Sequence, residues 1–122
     1  MSTHKKHYRL QAPLTADLGA RVHDVSARVR SGELPRERSE EVSDLICEMT
    51  ETAMKHFFLR PAQEFGLGLT ARGIIDLGIR STSKTVRMAL KQIFPRLSPE
   101  QFCQVSDYLD EAVHAGAAST GK

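Results

Sequence analysis

Tryptophan is absent, and with two tyrosines and five phenylalanines in 122 residues the chain is poor in aromatics. No apolar run approaches the ~18 residues that a membrane span requires. The basic N-terminus, Met1 to Arg9, is not followed by the apolar stretch of a secretory signal. There are only two cysteines, Cys47 and Cys103, without the CxxC spacing of a zinc or redox site. That scarcity excludes a disulfide-stapled scaffold and leads us to expect two reduced thiols and a cytoplasmic location. The net charge is +2, so no global polycation points to nucleic acid. No segment alternates as a strand would, and no repeat of about 20–50 residues is present.

What is present is helical periodicity. The length fits one domain with its own core. We expect a flexible basic arm over 1–12, a single helical domain over 13–114 and a frayed tail over 115–122. Leu14, Leu18, Val22, Val25 and Val29 form an apolar stripe at helical spacing, which places a first helix at about 15–31 with Gly32 as its stop. A second helix, from about 36 to 60, follows Pro35 and buries Val42, Leu45, Ile46, Met49, Ala53 and Phe57. Near its end Met54, Phe57, Phe58 and Leu59 spread apolar character around the cylinder, as happens where a helix is covered on several sides. Pro61 should end or kink it.

Thr70 is the expected N-cap of a third helix reaching about Ile93. Its apolar stripe is Ile75, Ile79, Val86, Leu90 and Ile93, flanked by the small residues Gly78, Thr82, Thr85 and Ala89. For the fourth helix Ser98, Pro99 and Gln101 form a capping-box start, with Leu97 and Phe102 as a hydrophobic staple. Phe102, Val105, Leu109 and Ala112 make its apolar side. The expected fold is all-α, a small bundle of about four helices around a long central antiparallel hairpin of the second and third.

Two charge stripes run through that hairpin. Glu37, Glu41, Asp44, Glu48 and Glu51 form an acidic ridge on the second helix; Arg80, Lys84, Arg87 and Lys91 form a basic one on the third. From Leu77 to Pro99 there is no acidic residue at all. In an antiparallel hairpin turning near Phe65–Gly66, Glu51 comes level with Arg80, Glu48 with Lys84, Asp44 with Arg87 and Glu41 with Lys91. At about 100° per residue, however, the ridges lie to opposite hands of their apolar stripes. Register favours pairing within the chain and rotation opposes it. The ridges are then two exposed surfaces, suited to meeting across a subunit boundary or, for the basic one, to contacting nucleic acid.

The string Ser83–Leu97 (SKTVRMALKQIFPRL) resembles the recognition helix of LuxR-type helix-turn-helix regulators, and Leu77-Gly78-Ile79 is similar to the turn of many such units. The resemblance covers at most about 29 residues (69–97) and implies DNA binding through Arg80, Lys84, Arg87 and Lys91. It departs from the family at Ile75, where a small residue is usual, and in a turn two residues too long before Thr85-Val86. A continuous helix accounts for the same residues.

Other constellations point to no chemistry. Gly66, Gly68 and Gly73 match neither GxGxxG nor a Walker A and read as a helix–helix turn. His4 and His7 lack carboxylate or cysteine support for a metal. His23, His56 and His114 fall in three helices, and Cys47 lies roughly 13 Å along the helix from His56, too far for a Cys–His nucleophile. No pair of carboxylates sits in an apolar cleft. We therefore expect no catalytic set, cofactor or metal. The reading is a non-enzymatic interaction or regulatory module, self-associating as a homodimer or binding another protein, with DNA binding as the alternative and no membrane partner. Contacts are expected at Arg80, Lys84, Arg87, Lys91, Glu41, Asp44, Glu48 and Glu51.

Overall fold

The computed structural model describes residues 11–113. The expected basic arm and tail, with His4, His7 and His114, fall almost wholly outside them. Among the described residues the chain is all-α, without a strand.

Helix α1 (Ala16–Ser31) starts where the Thr15 hydroxyl accepts from the Leu18 amide at 3.1 Å. It stops at Gly32, held at φ 88°. There the amides of Gly32 and Glu33 return to the carbonyls of Val29 and Arg28 at 3.1 and 2.9 Å, a Schellman closure. Leu18, Val22, Val25 and Val29 form its buried stripe, as their spacing requires.

Helix α2 (Glu40–Met54) begins later than the sequence indicates. Pro35 is extended and opens a 3-10 turn over Arg36–Arg38, closed by the Arg38 amide on the Pro35 carbonyl at 2.9 Å. Leu34, fully buried, anchors this linker in the core. At the other end the helix does not stop at Pro61. Lys55–Leu59 widen into a π-helical turn, in which the Arg60 amide reaches the carbonyl of Lys55, and α3 (Arg60–Glu64) continues directly. In a regular helix the proline ring collides with the carbonyl four residues back. The wider turn displaces that register and lets the cylinder run on.

Gly66, at φ 70°, closes α3 with a second Schellman pair: Leu67 to Ala62 at 3.0 Å and Gly66 to Gln63 at 3.2 Å. Helix α4 (Leu69–Ile93) follows at once as one continuous helix, with no turn inside it of the helix-turn-helix kind. Its N-cap is Gly68, not Thr70, and no side chain caps it. The reversal needs only Gly66 to Gly68, so the helix is under way before Thr70. A 3-10 turn, Phe94–Arg96, leads to α5 (Pro99–Ala112). Ser98 and Gln101 exchange capping-box hydrogen bonds of 3.1 and 2.9 Å, as the sequence signals.

Helix α1 runs antiparallel to both α5 and α2, and α2 to α4. Helix α5 lies mainly on α1: Ser26 Oγ donates to the Ser106 carbonyl at 3.3 Å and Cys103 Sγ to that of Val29 at 3.8 Å. Helix α2 packs on the other side of α1, and α4 packs on α2, where Cys47 Sγ donates to the Ser83 carbonyl at 3.8 Å. The sequence reading set α5 against the α2–α4 pair; instead α1 carries it. The core comprises Leu18, Val22, Val25, Val29, Leu34, Val42, Leu45, Phe94 and Phe102, with Phe94 and Phe102 edge-to-face at 5.6 Å. No residue between 50 and 89 belongs to this cluster or to the partly buried shell packed against it. At ~1.5 Å per residue, the 16 residues of α1 reach about 24 Å and the 25 of α4 about 37 Å. The α2–α4 pair therefore projects past the core by more than two helical turns.

Candidate functional site

The projecting end is where the chain leaves apolar surface uncovered. Phe58 is 57% exposed, Phe65 77%, Leu67 47%, Leu69 77%, Ile74 66% and Leu77 64%. Six of the nine exposed large hydrophobic residues among those described thus fall between positions 58 and 77. Local geometry puts them there. Gly66 and Gly68 reverse the chain in so few residues that Phe65, Leu67 and Leu69 stand at the turn itself. On α4, Ile79 and the half-buried Ile75 face α2, which turns Ile74 and Leu77 outward. Around Met54–Leu59 the described chain half-buries Met54, Phe57 and Leu59 and, of the large apolar side chains there, leaves only Phe58 exposed.

With about 150–200 Å² for a fully exposed large side chain, these six present roughly 600–800 Å² of apolar surface. A monomer's largest patch is usually about 300–600 Å². The small residues Gly78, Thr82, Thr85 and Ala89 lie along the same helix, all exposed, and a Cβ built on Gly73 or Gly78 would meet nothing within 4 Å. Among the described residues no helix covers that side of α4.

The acidic ridge divides between two neighbours. Asp44 accepts from Arg87 across the α2–α4 contact at 2.5 Å. Glu48 instead accepts both Arg21 nitrogens, at 2.8 and 2.7 Å, and Glu41 accepts from Arg28 at 2.8 Å. The ridge is therefore not a free outward surface. Rotation measured from the apolar stripe alone misplaced it, because Ser43 and Cys47 are buried as well and widen the covered arc of α2. Arg21 and Arg28, which the sequence reading passed over, are seven residues apart, like Glu41 and Glu48 in opposite order. That matched spacing was the available signal.

The Arg21 hydrogen bonds hold the Glu48 carboxyl below its usual range and raise the Arg21 guanidinium; the hydrogen bond to Asp44 raises Arg87 likewise. On the basic ridge Arg80 is taken by Asp76 one turn away at 2.9 Å. Lys84 and Lys91 are exposed and have no carboxylate partner among the described residues. Glu37 and Glu51 pair with no other helix there.

A cleft of about 380 Å³ lies between the start of α2 and the end of α4, lined by Ser39, Glu40, Ser43, Asp44, Arg87, Lys91 and Pro95. Its central charges neutralise each other in the Asp44–Arg87 pair, so they do not converge on a ligand. His56 stands edge-on to Phe57, and His23 pairs with Asp110. Among the described residues no three His, Cys, Asp or Glu side chains are grouped to hold a metal, and no helix is long and apolar enough to cross a membrane. No protein-family model, curated protein or solved structure matches this chain.

Proposed function

We propose that this chain is a non-enzymatic, regulatory protein-binding module of the cytoplasm, and that its contact is made by the projecting end of the α2–α4 pair. The observation that carries the reading is the cluster of exposed large apolar side chains at residues 58–77, beyond the reach of the core. Apolar surface of that extent is costly to leave in water, and covering it is favourable. The charge ridges then act at the rim, since salt-screened exposed charges steer and register contacts more than they strengthen them. This moves the expected contact from Glu41, Asp44, Glu48 and Arg87 toward the turn, with Arg80 and Lys84 beside it.

The reading is tested by placing a photo-reactive phenylalanine analogue at Phe65 and, as a control, at Tyr108, which is also exposed but sits at the core end. Protein adducts at Phe65 and none at Tyr108 are expected in the native host. No adduct at Phe65 ends the proposal. Duplex-DNA binding, the alternative, retains only Lys84 and Lys91 as unengaged cations of its four. Titration at varied salt separates it: four phosphate contacts give a log–log slope steeper than −3, at roughly −0.9 per contact.

A further inference from the structure

We infer that the projecting end of the α2–α4 pair is covered by the same end of a second copy, in a two-fold dimer that buries Phe65, Leu69, Ile74 and Leu77 of each chain. This rests on the protein-binding reading above and names its partner.

Area is the first argument. A specific interface buries about 800 Å² per partner, and these four side chains offer roughly 430–570 Å² of apolar surface before any rim is counted. A second copy brings an equal patch, with Phe58 and Leu67 at its margin. An isologous contact also closes on itself, and it satisfies both patches without generating a filament.

Charge is the second. Around the patch Arg60 pairs with Glu64 and Arg80 with Asp76, each at 2.9 Å within its own helix. These two cations enter a contact between identical surfaces already neutralised, which lowers the repulsion that like surfaces meet; Arg72, between Leu69 and Ile74, has no carboxylate partner among the described residues and is the charge a second copy must accommodate. Shape agrees with this. Gly73 and Gly78 bracket Ile74 and Leu77 and have open space beside them, so a partner helix can approach closely enough for two antiparallel pairs to pack as four helices.

Residues 114–122 (HAGAASTGK) contain no large apolar side chain, and residues 1–10 contain only Met1, Tyr8 and Leu10 among basic and polar neighbours.

Size-exclusion chromatography with light scattering on the full chain, from about 1 to 100 µM, tests the inference. The expected mass is twice the 13.6 kDa of one chain. Leu77→Asp should weaken association by roughly 30-fold or more, as a charge placed at a central apolar contact does. Because Leu77 is exposed in the single chain, far-UV circular dichroism should be unchanged; Ile74→Gln gives a second, milder variant at a neighbouring exposed position. Met88→Asp, on the same outward side of α4 but ~16 Å further along, should leave the dimer intact. A wild-type monomer at 100 µM overturns the inference, as does a dimer indifferent to Leu77→Asp or equally broken by Met88→Asp. If the wild type is monomeric while Phe65 still captures another protein, only the second-copy partner falls; if both experiments fail, the protein-binding reading falls too.

Discussion

Arg21 and Glu48 meet through two hydrogen bonds, and the same contact lowers the Glu48 carboxyl below its usual 4.5. A carboxylate whose folded value is depressed contributes stability that is complete above its unfolded value and is lost as pH falls through the folded one. Glu48→Gln should therefore flatten the acid limb of a thermal-stability profile below about pH 4.5, with a small loss near neutrality. Melts across the acid range read this directly. Two glycines carry opposite expectations. Gly32 sits at φ 88° with open space around it, so Gly32→Ala should destabilise by about 1 kcal/mol through backbone strain alone. Gly19 lies inside α1 with Val113 at an ordinary 3.6 Å, so Gly19→Ala should stabilise by about 0.5–1 kcal/mol. Urea denaturation distinguishes the signs.

Among the elements, α1 and α5 were legible in detail because their ends depend on local chemistry. Gly32 and the Ser98–Gln101 box act within three or four residues, and the sequence displays them; Thr15 is a signal of the same local kind that the sequence reading passed over. The start of α2 was less so: Pro35 begins a 3-10 turn, and Leu34 is held by the core rather than by its neighbours in sequence. Pro61 was legible only as an end or a kink, because which of the two it causes depends on whether the helix can widen beneath it. Helix α5 is held by one large anchor. Phe102→Ala should cost ~3–5 kcal/mol, removing a buried ring stacked edge-on against Phe94. Ser98→Ala, which removes only the cap, should cost about 1 kcal/mol. Calorimetry of the two variants places one well above the other.

At the scale of the molecule, stability is concentrated at one end. The core joins α1, α5, the first half of α2 and the last turn of α4, while residues 55–80 hold together by pairwise packing alone. Hydrogen exchange should show the amides of 55–80 opening first in the Leu77→Asp chain and gaining protection with concentration in the wild type. The sequence by itself determined the helical class, most of the valine and leucine core and both capped ends of α1, because periodicity and capping act over one or two turns. It also carried the register that joins Asp44 to Arg87. Which neighbour each remaining acid meets, and which apolar residues stay uncovered, only the tertiary structure decided. Both depend on how many helices surround α2 and how far α1 and α5 reach along the α2–α4 pair, and those are properties of packing between segments distant in sequence. The exposed surface follows from that difference in reach: a long pair beside a short core leaves its apolar turn uncovered among the described residues.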